Sequence, residues 1–139
     1  MLTWKPGCLI AAIGMITLSA CSKDDDSTTV VQRLQQNWGV DSMTLRTHTS
    51  TTDNTVAYYG LPQDYLDFRT DNKLYSQVNG TKDTASYTML NDQTLVVIHG
   101  DGSRDTGTII TLTDSKLVGR TKKMTNATDY TETTSYLKR

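Results

Sequence analysis

Asn79-Gly80 constrains what this chain can fold into more than any other pair of residues in it. Both residues tolerate the positive φ that a type I′ turn demands, so the pair predicts a tight hairpin between Lys73–Val78 and a return strand over 81–90. The same alternation of strand and turn chemistry extends in both directions. A short strand over 55–59 ends at Gly60-Leu61-Pro62, and 65–69 alternates well before turning at Thr70-Asp71-Asn72. Asn91-Asp92 turns next, 94–99 is apolar enough to be central, and Gly100-Asp101-Gly102 turns again. Strands over 105–112, 116–124 and 130–138 complete the set, with turns near Asp114-Ser115 and Asn126.

Upstream, Val30, Val31, Leu34 and Trp38 fall at helical spacing, which predicts a short amphipathic helix over 27–37 capped by Ser27 or Thr28. A first strand opens at Trp38-Gly39-Val40 and runs toward Arg46 with imperfect alternation, placing a bulge near Met43, and 47–54 reads as loop. Eight or nine short strands at this spacing predict an all-β antiparallel sandwich or barrel, and a barrel closes every edge. The inward positions are Trp38, Val40, Leu66, Phe68, Leu74, Val78, Tyr87, Met89, Leu95, Val97, Ile110, Leu112, Leu117 and Tyr136.

The first 20 residues stand apart. A start carrying Lys5 precedes an apolar stretch, 9–18, that as a helix would reach roughly 15 Å against a hydrocarbon core of about 30 Å. That length suits a signal peptide and not a membrane span. Its end, Leu18-Ser19-Ala20-Cys21, resembles the box at which bacterial lipoproteins are cut and the cysteine is acylated, with palmitate-type chains that anchor it to a membrane. Lys23, Asp24 and Asp25 directly afterwards resemble the export signal of Bacteroidota surface lipoproteins, which implies the outer membrane and the cell surface, or otherwise its periplasmic face. The chain thus divides into a signal peptide, 1–20, an acylated charged tether, 21–29, and one folded domain, 30–139.

The chain has 139 residues, so one modest core is the most the folded part can build. Of 14 basic residues only Lys5 precedes Cys21, so 13 remain against 15 acidic ones, a near-balance that argues against nucleic acid. The two cysteines, Cys8 and Cys21, are both spent in processing, which leaves the domain without disulfide or thiolate chemistry.

Four stretches, in order, resemble the bacterial lipocalin-like lipoprotein domain. They are Leu34-Gln35-Gln36-Asn37-Trp38, the strand and turn from Leu66 to Asn72, the hairpin from Thr84 to Leu95, and the closing segment from Ile109 to Leu117. Gln36, Asn72 and Ala85 stand where that family usually has glycine. The resemblance implies a small up-and-down antiparallel β-barrel of about eight strands with a short N-terminal helix, and no catalytic residue comes with it.

Nothing in the motifs points to an enzyme. His48 and His99 have no second ligand at metal spacing, and His99 reads as a strand-end residue in contact with water. The segment Asp101-Gly102-Ser103-Arg104-Asp105 lacks the acidic positions of a calcium loop and reads as a polar turn. Neither metal nor cofactor is expected. The remaining expectation is binding of a small apolar ligand or a protein partner, in a barrel whose interior is largely filled and whose pocket is shallow. Tyr58, Tyr59 and Leu61, with Pro62, are candidates for an aromatic rim, and Trp38 is a further candidate ligand contact. The plainer reading packs Tyr58 or Tyr59 into its strand. The alternative to ligand binding is an accessory subunit of an outer-membrane complex, with a solid barrel whose outer face docks on a partner.

Overall fold

The computed structural model describes residues 29–139; Cys8, Cys21, Lys23, Asp24, Asp25 and the signal segment lie outside the described residues. One helix, α1 (Val30–Leu34), precedes nine strands: β1 (Asn37–His48), β2 (Asp53–Tyr59), β3 (Tyr65–Phe68), β4 (Lys73–Val78), β5 (Thr81–Asn91), β6 (Thr94–Ile98), β7 (Arg104–Leu112), β8 (Lys116–Met124) and β9 (Tyr130–Lys138). Every pairing is antiparallel, and β3 to β9 follow one another as a meander. The ring closes where β9 lies along β1, from Gly39↔Lys138 to His48↔Tyr130.

β2 and β3 are one barrel strand in two pieces. Both pair with the same edge of β1, β3 along Asn37–Gly39 and β2 along Ser42–His48. The nine strands are therefore the staves of an eight-stranded up-and-down barrel with one stave broken. Beyond the break β2 pairs with β1 alone, so one side of the barrel is notched.

The turns behave as the sequence predicts. Asn79 and Gly80 take φ of 50° and 77°, as a type I′ turn requires. Asn72 takes φ of 62°, so asparagine fills the left-handed position that the resembling family gives to glycine.

Several expectations are corrected. The helix spans only five residues, and its cap is Thr29, because Gln32 at the third helical position completes a reciprocal capping box: its N–H donates to Thr29 Oγ1 at 3.2 Å while Thr29 N donates to its Oε1 at 2.9 Å. The segment expected to be loop, 47–54, is shortened from both sides: β1 takes 47–48, β2 takes 53–54, and 49–52 is a compact turn in which Thr49 N donates to Thr52 O at 2.8 Å. The bulge of β1 falls between Val40 and Ser42, two residues before Met43. Ile110 and Tyr136, expected inside, are 48% and 38% exposed, while Ile109 and Leu137 are buried in their place. A register shift between Ile109 and Thr111 reverses the alternation of β7 at that point, and Leu137 faces inward because it lies opposite the inward Val40.

The break in the second stave is held by the buried Asp64. Its Oδ2 accepts the Leu61 N–H at 2.9 Å and the Tyr58 hydroxyl, and its Oδ1 accepts the Asn79 N–H at 3.0 Å. Its backbone carbonyl accepts the Val40 N–H at 3.0 Å. Gly60 packs so closely that a β-carbon there would lie 2.0 Å from the Val40 carbonyl oxygen. Gly60→Ala is therefore expected to cost more than about 2 kcal/mol in urea unfolding, among the larger single-substitution effects. The Tyr58 hydroxyl, foremost, and then the Leu61 N–H hold the Asp64 carboxyl below its ordinary value of 3.8. The stability it contributes is complete above that value and lost as pH falls through the lowered one. Asp64→Asn should flatten that acid limb of the stability profile and lower Tm at neutral pH.

Candidate ligand site at the open end of the barrel

The two ends of the barrel are built differently. At one end α1 plugs the bore. Leu34 and Trp38 are fully buried, and the indole Nε1 donates to the Leu34 carbonyl at 3.0 Å. Phe68 and Tyr87 meet edge to face at 5.2 Å, and the Tyr87 hydroxyl donates to Arg69 O at 2.9 Å. Large rings with satisfied polar atoms close this end.

Above the plug the bore is not filled. A cavity of about 110 Å³ is lined by Leu34, Leu66, Leu74, Leu95, Ile109 and Leu117 among others, and Gly107 and Gly119 on neighbouring strands leave it room. A β-carbon on Gly119 would find its nearest neighbour at 3.9 Å, so the space beside it is unclaimed. Leu66, Leu74, Val97, Thr121 and Ser135 also line a second space of about 280 Å³, which adjoins the cavity toward the far end. There Met43, Val78, Ala85, Thr133, Asp83, His99 and Asp105 form the wall. A cleft of about 350 Å³ continues through the notch beside β2, along the cross-strand pairs Met43↔Tyr58 and Leu45↔Val56.

The polar group of the site is His99, one residue past β6. Val97 pairs with Asp105 on β7 and Ser86 with Ile98 on β5, so His99 lies diagonal to both Asp105 and Asp83. Its Nε2 is 3.0 Å from Asp105 Oδ2, and its Nδ1 is 3.5 Å from Asp83 Oδ2. The Asp105 hydrogen bond, foremost, raises the imidazole above its ordinary 6.5; partial burial opposes this and Asp83 adds to the rise. The sequence reading as a water-contacting strand end missed this role. Asp83, His99 and Asp105 share the inward phase of their strands, but only the register brings them together.

The four residues predicted to contact ligand are not gathered in one place. Trp38 is in the plug, at the opposite end from the mouth. Tyr58 lines the notch with its hydroxyl on Asp64, while Tyr59, the next residue, takes the other face of β2 and is 77% exposed. Leu61 is in the break, its N–H on Asp64. The other histidine, His48, stacks on Tyr130 at 4.9 Å, with Nδ1 3.5 Å from Asp53, whose carboxyl Arg46 holds down to about 2.

The 101–105 segment is a turn built on its own side chain: Asp101 Oδ1 accepts from Ser103 N at 2.8 Å and Ser103 Oγ at 2.6 Å, and Gly102 takes φ of 83°. Among the described residues no group of three or more His, Cys, Asp or Glu side chains is placed to hold a metal ion. Asp83 and Asp105 approach different nitrogens of one ring, so their donors do not converge on a point. Among the same residues, no helix is long and apolar enough to cross a membrane.

Fold and site together define a plugged, open-mouthed antiparallel barrel with an apolar bore and a charged rim. No family model matches the chain, and no curated protein does. Among solved structures, a deswapped triple mutant of bovine odorant binding protein is similar at a TM-score of 0.49 and 17% identity, over 77% of this chain and 74% of that one.

Because the His99 pKa is raised, the stability contributed by its carboxylate contacts is complete below pH 6.5 and lost as pH rises through the elevated value. An NMR titration should place the His99 midpoint above 6.5, and Asp105→Asn should bring it down.

Proposed function

We propose that this protein is a non-enzymatic, lipid-anchored, lipocalin-like barrel that takes a small apolar ligand into its bore from the open end. The single observation that carries the reading is the apolar cavity above the plug, which adjoins the mouth at Leu66, Leu74 and Val97. Small sites of this kind are concave, mostly apolar and edged by a few polar groups. A solid barrel acting as an accessory subunit would need no such space. Binding rather than catalysis is favoured because both nitrogens of His99 face carboxylates, and neither is left to take a proton from a nucleophile.

The anchor rests on Cys21 and the residues around it. Acylation there would tether the barrel to a membrane, and Lys23, Asp24 and Asp25 favour the outer face of the outer membrane. Labelling with an alkynyl palmitate analogue should mark the wild-type chain and leave Cys21→Ser unmarked.

The cavity is tested by filling it. An apolar dye such as N-phenylnaphthylamine should brighten on binding the wild-type protein. Gly119→Leu should weaken that binding about tenfold or more, because the side chain enters the space the dye would occupy. Gly119→Ala, whose added methyl makes only ordinary contact, should leave it nearly unchanged. Dye binding insensitive to Gly119→Leu would place the dye elsewhere and remove the reading.

A further inference from the structure

The bore accounts for an apolar ligand body, and the mouth carries information about what the other end of that ligand must be. Resting on the reading above, we propose that the ligand is an amphiphile with a cationic head, an amine or quaternary ammonium group. The head sits against Asp83 and Asp105 while the apolar body lies over Met43, Val78 and Val97.

The mouth has two unlike walls. On one, Met43 and Tyr58 pair across β1 and β2, as do Leu45 and Val56, and together with Val78 they line one cleft. Leu45 and Val56 remain 44% and 56% exposed there. Contiguous apolar side chains that line a recess and stay wet are surface that an apolar body would cover. On the other wall stand Asp83, His99 and Asp105. Asp101, Ser103 and Lys123 lie just outside them, and Asp101 is engaged by Ser103.

The sign of the head follows from the charges. Three carboxylates face Lys123 and, when protonated, His99, so the wall is negative in either state of the imidazole. A carboxylate head would enter against that excess, and a neutral head would leave it uncompensated. An ammonium group would make charge-assisted hydrogen bonds to these carboxylates, of which Asp105 is held by its 3.0 Å contact with His99 Nε2 and Asp83 lies 3.5 Å from Nδ1. The depth of the head follows from burial. Below Val97 the lining is mostly apolar and contains no carboxylate, only Thr108, Arg120, Thr121 and Ser135 being polar, so an ammonium head would find no counter-charge there; the head stays at the mouth and the tail points to the plug.

The test uses the purified full chain and three probes of one tail, n-octylamine, 1-octanol and octanoate, compared by isothermal titration. The amine is expected to bind about tenfold more tightly than the alcohol, and octanoate more weakly than either. The double variant Asp83→Asn, Asp105→Asn should reduce the amine to the affinity of the alcohol, while its undiminished binding of 1-octanol shows that it remains folded. Octanoate binding as tightly as the amine, or an amine preference that survives in the double variant, would overturn the assignment of the head while leaving the cavity intact. If none of the three probes binds, the ligand reading itself fails, and this inference with it.

Discussion

The carboxylate of Asp64 sits where one stave of the barrel breaks, and with two oxygens it serves three separate parts of the chain. It holds the start of the break through Leu61, the inner face of β2 through Tyr58, and the β4–β5 hairpin through Asn79. Its own carbonyl reaches Val40, beside the bulge in β1. An acidic group buried this deeply is stable as an anion only if its lone pairs are occupied, and here two backbone N–H groups and one hydroxyl occupy them. The bulge and the break stand opposite each other, so the ring closes despite both. The notch they leave opens the side of the mouth between β2 and the β4–β5 hairpin.

The bore is plugged at one end and empty above it because bulk is distributed unevenly along the strands. An eight-stranded barrel has an interior that side chains can just fill, so its occupancy depends on which residues point inward. Leu34, Trp38, Phe68 and Tyr87 crowd the end under α1, while Gly107, Gly119, Ala85 and Ser135 face the middle. The expected filled interior is therefore met at one end only. Neither Gly107 nor Gly119 takes a positive φ, so their absent side chains matter here as space rather than as backbone freedom.

The charged wall of the mouth is compatible with this apolar interior because its members compensate one another. His99 stands on the inward face of an otherwise apolar run, and a half-buried imidazole without partners would be unfavourable. Carboxylates on both neighbouring strands supply the partners. The rim thereby keeps a net negative character close to uncovered apolar surface, a combination that neither feature would give alone.

Much of this was legible from local chemistry. Asn79-Gly80 and the turn residues at 70–72, 91–92 and 100–102 punctuate the strands because φ preference is a property of the residue itself. Three predicted strands, Lys73–Val78, Lys116–Met124 and Tyr130–Lys138, keep their expected bounds. Which side of the sheet a residue faces was less secure: the shift at Ile110 reverses the alternation of β7 and puts Ile109 inside in place of Ile110, and β9, unbroken along its length, turns Leu137 inward opposite Val40 and Tyr136 outward. The site was least legible of all. Tyr58 and Tyr59 are equivalent in sequence and opposite in space, and Asp64 carries no motif. His99 acquires its partners only when three strands settle into register. The sequence by itself determined where the chain turns and that its strands pair antiparallel, since these depend on neighbouring residues. Only the tertiary structure decided that the barrel breaks at Asp64, stays hollow beside Gly119 and gathers charge around His99, since these depend on residues that meet across strands.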